Sequence, residues 1–250
     1  MLLKKDTEET VEYNVKPLID GCKNFGITLS DEQVEQLIIY YENLIEKNKV
    51  MNLTGITDFQ DVLIKHFLDS LSIVKAMDMK NVNKILDIGT GAGFPGIPLK
   101  IVFPEKEFVL LDSLNKRIKF IQEIIDKCRL KKIIAVHGRA EEIVKKKEYR
   151  EAFDLCVSRA VANLSSLSEY CLPYVRIGAY FVSYKSANID MELENSKNAI
   201  KILGGEIRNK VSFILPNSDI ERCLILIEKM KATPAKYPRK AGLPSKEPLQ

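Results

Sequence analysis

Apolar positions in the first eighty residues recur at helical spacing. Val34, Leu37, Ile38, Tyr41, Leu44 and Ile45 fall at i, i+3, i+4, i+7, i+10 and i+11, one stripe on a helix of about four turns. Ser30 followed by Gln33 is a capping box, which predicts its start. Asn48 to Thr57 is polar around Gly55 and predicts a loop. Asp61 to Met77 is helical in period again, with Val62, Ile64, Phe67, Leu68, Leu71 and Val74 apolar. From residue 84 the rhythm changes. Short apolar runs at Lys84–Ile88, Phe108–Leu111, Ile133–Val136, Phe153–Val157 and Ala179–Tyr184 alternate with helical stretches near 96–103, 115–129, 140–147, 163–172 and 189–203. Continuous apolar strands separated by helices predict a mostly parallel sheet covered on both faces, an α/β fold. Two closing runs, near 206–214 and 222–228, have no long helix between them and predict an antiparallel hairpin at the sheet edge. Thr233 to Gln250 holds four prolines and no period, which predicts an extended or mobile tail. The expected organisation is a helical extension over 1–80, an α/β domain over 81–230 and a basic tail over 231–250.

Composition narrows the class. Of 250 residues, 46% are hydrophobic and 29% charged, the balance of an ordinary globular chain. No uninterrupted apolar run approaches the length of a membrane span. The opening MLLKKDTEETVEY lacks the apolar core of a signal peptide, and the expectation is a cytoplasmic protein. Five cysteines without a CxxC pair fit reduced, buried thiols. With only His66 and His137, no metal-binding cluster is expected. Net charge is +4, but residues 1–80 carry 9 basic against 14 acidic groups, and residues 81–250 carry 29 against 20. That asymmetry points to a basic face toward an anionic partner; the alternative is a solvated lysine-rich surface.

Candidate chemistry gathers at the ends of the strands. Asp87-Ile-Gly89-Thr-Gly91-Ala-Gly93-Phe94-Pro-Gly96 follows a strand and opens a helix, where a ligand can approach the backbone closely. Gly91-x-Gly93-x-x-Gly96 satisfies the dinucleotide fingerprint. Against it, Pro95 and Pro98 crowd the first helical turn, and Asp87 repels a pyrophosphate while attracting a cationic amino-acid moiety. Asp112 ends the second strand, where a carboxylate can accept both ribose hydroxyls or cap the next helix. Arg139-Ala140-Glu141 follows the third strand, beside an adenine ring or as a helix start. Arg159 follows the fourth strand, at the edge where open α/β sheets bind ligands. Lys185 ends the fifth in the same way. His66 and His137 read as structural. Neither a P-loop nor a G-x-S-x-G elbow occurs.

The order of that glycine loop, Leu111-Asp112-Ser113-x-x-Lys116-Arg117, Arg139-Ala140-Glu141 and Ser158-Arg159-Ala160 resembles class I S-adenosylmethionine-dependent methyltransferases. Together with Asn52-Leu53-Thr54, His66-x-x-Asp69-Ser70 and Pro238-Arg-Lys-Ala-Gly-Leu-Pro-Ser-Lys, it is similar more narrowly to the RsmG family, also called glucose-inhibited division protein B. The resemblance covers roughly residues 30–248. It implies a Rossmann-like domain with an N-terminal helical extension that methylates N7 of one guanine, conventionally position 527, of 16S ribosomal RNA. It implies cofactor contacts at Gly89, Phe94, Ala140, Glu141 and Arg159, with Asp112 at the ribose position and Gly91 and Gly93 in the loop. RNA contacts are expected at Arg117, Lys185, Arg239 and Lys240, on 16S ribosomal RNA or the small ribosomal subunit. The tail is expected to serve RNA and to leave cofactor binding untouched. Guanine N7 offers an in-plane lone pair, so no catalytic acid or base is expected. The competing readings are a class I methyltransferase for a small molecule or protein, a nucleotide-binding oxidoreductase, and a non-catalytic RNA-binding module.

Overall fold

The computed structural model describes residues 2–3, 11–159 and 162–250. Strands β1 (Leu2–Leu3) and β2 (Val11–Glu12) form a small antiparallel pair. Helices α1 (Lys16–Asn24) and α2 (Asp31–Met51) follow. Ser30 and Gln33 make the expected capping box, but α2 runs to Met51, into the segment expected to be a loop. Asn48 explains where it stops. Its Oδ1 accepts from the Leu53 and Thr54 amides at 2.6 and 2.9 Å, drawing the chain into a turn after the left-handed Asn52. The next helical stretch is not a uniform α-helix. Short α3 (Phe59–Val62) passes into a π-helical turn, Leu63–Leu68, then α4 (Asp69–Leu71) and a 3₁₀ turn, Ser72–Lys75. A π-turn inside a helix is rare and recurs at functional sites; this one carries His66.

The remainder alternates as the apolar runs predict. It comprises β3 (Lys84–Ile88), α5 (Gly96–Val102), β4 (Glu107–Asp112), α6 (Asn115–Lys127), β5 (Ile133–His137), α7 (Ala140–Ile143), β6 (Phe153–Ser158), α8 (Leu164–Cys171), β7 (Val175–Ser186), α9 (Asp190–Ile202), β8 (Gly205–Ile214), β9 (Glu221–Lys229) and α10 (Leu243–Lys246). The helix expected over 140–147 ends at Ile143. The seven-stranded sheet runs β5-β4-β3-β6-β7-β9-β8. Strands β3 to β7 are parallel, and β9 lies antiparallel between β7 and β8. Strand order reverses between β3 and β6, and such a switch point opens a crevice at the carboxyl ends. The reversed β9 departs from the all-parallel dinucleotide fold.

Two apolar clusters sandwich the sheet. One joins α1, α2 and the π-turn to α5 and α6; the other joins α8 and α9 to the opposite face. Tyr40 of α2 ties the first cluster to the glycine loop. It is fully buried, packs on Phe67 and Phe94, and donates its hydroxyl to the Ala92 carbonyl at 2.6 Å. Tyr40→Phe leaves that carbonyl without its donor, which costs about 1–3 kcal/mol. The expected result is a lower melting temperature and weaker cofactor binding; thermal melts and calorimetry on the same sample check both.

The tail departs from expectation. It folds back along α8 and ends in α10. Arg239 forks onto Glu169 of α8, and Arg150 donates to the Thr233 and Tyr237 carbonyls. Proline content gave no period, yet specific polar contacts hold the segment in place.

Candidate functional site

The glycine loop builds one side of the crevice. Gly89 has φ +70° and Gly91 φ +62°, backbone that favours glycine. The Gly91 amide donates to Asp112 Oδ2 at 2.9 Å, and the Gly96 amide donates to Asp87 Oδ2 at 2.9 Å. The glycines have different tasks. A Cβ on Gly93 meets Tyr40 Oη at 2.9 Å, and one on Gly96 meets Leu110 Cδ2 at 2.2 Å. These two allow close packing beneath the loop, so the literal fingerprint reflects packing there rather than pyrophosphate contact.

A cavity of about 220 Å³ opens beside the loop, lined by Gly89, Asp112, Ala140, Glu141 and Tyr170, with Gly242 and Ser245 from the tail. Asp112 already holds the Gly91 and Leu114 amides, and Arg117 reaches its Oδ2 at 3.3 Å. Arg117 therefore touches this cavity only through Asp112. A larger cavity of about 950 Å³ lies beyond β6 and β7, lined among others by His66, Asp69, Arg159, Tyr184, Lys185 and Arg222. The two flank the switch point, where Ser158 Oγ donates to the Ile88 carbonyl at 2.8 Å.

Arg159 organises the larger cavity. It donates to Asp69 Oδ2 at 2.8 Å, to the Lys65 carbonyl at 3.3 Å and to His66 Nδ1 at 3.1 Å. Its guanidinium lies 4.9 Å from the Phe94 ring centroid, and Phe94 stacks on His66 at 4.3 Å. Arg222 takes the other Asp69 oxygen at 3.0 Å. Burial, reinforced by the Arg159 charge, lowers His66 to about 3, so the ring is neutral. With Nδ1 accepting from Arg159, the proton sits on Nε2, 2.8 Å from Thr54 Oγ1. His66, read from the sequence as structural, is thus a buried partner of Arg159, and Asp69 and Arg222 complete the group. Arg159 itself is placed as expected; Ala160 of the same motif lies outside the described residues.

Other expected residues have internal partners. Lys185 donates to the Ala162 carbonyl and Glu192, each at 2.7 Å. Arg239 holds Glu169, while Lys240 is exposed. His137 sits 3.1 Å from the carbonyl of Ser113, which lines the smaller cavity, but lines neither cavity itself. No group of metal-ligating side chains occurs among the described residues.

Asp87 is fully buried and lines neither cavity; it holds the loop through the Gly96 amide. Its Oδ1 has no normal hydrogen-bond partner. Burial pushes its carboxyl up to about 7, against the pull of the Thr90 side chain, the Gly96 amide and the Arg159 charge. A folded-state value above the ordinary 3.8 means the protonated form stabilises the fold. That contribution is complete below about pH 4 and is lost as pH rises through about 7. Ligand-free protein should therefore lose thermal stability relative to Asp87→Asn between about pH 5 and about pH 8. Paired melts at four pH values check it; parallel curves contradict it.

These features fit an adenosine cofactor that carries a cation. The smaller cavity offers an acidic wall at Asp112, the loop exposes backbone, and an incompletely satisfied buried carboxylate lies behind it.

The family model for GidB, described as rRNA small subunit methyltransferase G, matches residues 33–220. The chain belongs to this family. A ribosomal RNA small subunit methyltransferase G from Lachnoclostridium phytofermentans is 53% identical over 231 residues, covering 92% of this chain and 96% of that one. Its counterpart from Clostridium tetani is 48% identical over 233 residues, covering 93% and 98%. Among solved structures, a SAM dependent methyltransferase from Aquifex aeolicus aligns with a TM-score of 0.51 at 16% identity, covering 69% of this chain and 94% of that one. TrmN from Thermus thermophilus aligns at 0.51 and 13% identity, covering 66% and 49%. The structural likeness concerns the fold; membership of the GidB family rests on the sequence. No helix of the described residues is long and apolar enough to cross a membrane.

Proposed function

We infer that this GidB-family protein transfers the methyl group of S-adenosylmethionine to N7 of a guanine, the one at position 527, in 16S ribosomal RNA. One observation carries the reading beyond family membership. Every titratable side chain lining the larger cavity already has a partner: Lys65 with Asp61, His66 with Thr54 and Arg159, Asp69 with two arginines, Lys185 with Glu192, and Tyr184 with the Ser70 carbonyl. Such a site orients a nucleophile but does not take a proton, and N7 has none to give.

When bound, S-adenosylmethionine supplies an electrophilic sulfonium methyl. Gly89, Asp112, Ala140 and Glu141 would hold its nucleoside part, while Arg159, its guanidinium over the Phe94 ring, lines the larger cavity. The Asp69 carboxylate, shared between Arg159 and Arg222, fixes both guanidinium groups. Lys65, Arg159, Lys185 and Arg222 outnumber Asp69 and Glu192 around this cavity, a balance that suits RNA phosphates. The target base must leave its stack to enter. Lys240 offers an exposed phosphate contact, Lys185 lines the larger cavity and Arg117 stands behind Asp112 of the smaller one.

Labelled S-adenosylmethionine, incubated with naked 16S RNA and with small subunits, tests the reading. We expect label at one guanine, at N7, in at least one of the two substrates. Label on protein, on exocyclic nitrogens or scattered over many guanines overturns it.

A further inference from the structure

We propose that the tail segment Gly242–Ser245 is a wall of the nucleoside subsite, so that the C-terminal tail is part of the S-adenosylmethionine site. The inference rests on reading the smaller cavity as that subsite.

The geometry is specific. Gly242 and Ser245 line the cavity together with Gly89, Asp112 and Ala140. The Gly242 amide donates to Glu141 Oε1 at 2.7 Å, so the tail fixes one of the carboxylates of the cavity. Gly242 has φ +83°, a turn that brings its amide back toward α7. Ser166 Oγ of α8 donates to the Pro244 carbonyl at 2.8 Å, holding the next residues against the same edge.

The tail is anchored by a buried charge. Glu169 is fully buried, and its carboxylate accepts the Arg239 amide at 2.7 Å and the guanidinium at 2.7 to 3.1 Å. A buried carboxylate stripped of its partner is strongly unfavourable. The tail therefore does not detach without stranding Glu169, and its cavity-facing residues hold a fixed place. A tail that merely braced α8 would need the Arg239 fork but not the contact to Glu141 or the residues at the cavity wall. Lys240 and Lys246 are exposed on either side of this segment.

Three variants, titrated calorimetrically with S-adenosylmethionine and S-adenosylhomocysteine, test the proposal. A chain ending at Ala241 keeps the Arg239–Glu169 fork and removes the wall. Ser245→Trp crowds the cavity in the full chain and decides the question alone if the shortened chain does not fold. Asp112→Ala tests the cavity itself. We expect all three to bind both ligands at least tenfold more weakly, with the melting temperature of Ser245→Trp close to that of the native chain. If Asp112→Ala loses affinity while the other two bind as the native protein does, the tail is not part of the subsite, and the cavity reading stands. If Asp112→Ala itself binds normally, the cavity reading fails, and the tail proposal fails with it.

Discussion

Arg159→Ala should lower methyl transfer by roughly two orders of magnitude, the scale of about 3 kcal/mol for a charged hydrogen-bonding group lost from an enclosed site. Its melting temperature should change little. The reason for that separation is Asp69. Removing Arg159 does not strand this carboxylate, because Arg222 still holds Oδ1 at 3.0 Å. The lost functions are the guanidinium over Phe94 and the link from β6 to the π-turn through the Lys65 carbonyl and His66. Arg159→Lys restores charge but not the planar fork, so it should recover only a small part of the rate. Single-turnover kinetics beside a thermal melt decide the matter. Normal turnover in Arg159→Ala reduces the residue to a structural link between two elements.

Gly89→Val should weaken S-adenosylmethionine binding by roughly a hundredfold or more. Gly89 lines the smaller cavity at φ +70°, and its amide donates to the Leu111 carbonyl at 2.9 Å. A β-branched side chain there is strained by about 1–3 kcal/mol and stands where a ligand meets the backbone. The strain alone lowers the melting temperature by several degrees without unfolding a domain of this size. Affinity should therefore collapse while circular dichroism stays native. Unchanged affinity contradicts the placement of the cofactor against this loop.

Much of this architecture is legible in the chain. The strands read as uninterrupted apolar runs because helices bury both faces of the sheet, and the glycine loop, Asp112, Ala140-Glu141 and Arg159 all fall at carboxyl ends of strands. The less legible parts depend on contacts between distant residues. His66 has no local pattern that marks a functional role; its partner Arg159 lies 93 positions later. The π-turn keeps an apolar period close enough to 3.6 that sequence does not separate it from an α-helix. The tail has no period at all, and its place is set by Arg239 on Glu169, 70 positions away, and Gly242 on Glu141, 101 positions away. Lys185 carries a charge that the sequence places at the strand edge and toward RNA, but the fold gives it Glu192 as a partner. In the same way, the GxGxxG spacing is literal while two of its glycines answer to Tyr40, Ile97 and Leu110.

We have inferred that this chain places one methyl group on guanine N7 of 16S ribosomal RNA. Mapping N7-methylguanine in 16S RNA from cells lacking the protein tests it most directly. We expect the modification to disappear at position 527, other modifications to persist, and the native chain to restore it while Arg159→Ala does not. Full N7 methylation at that guanine in the deletion strain would contradict it.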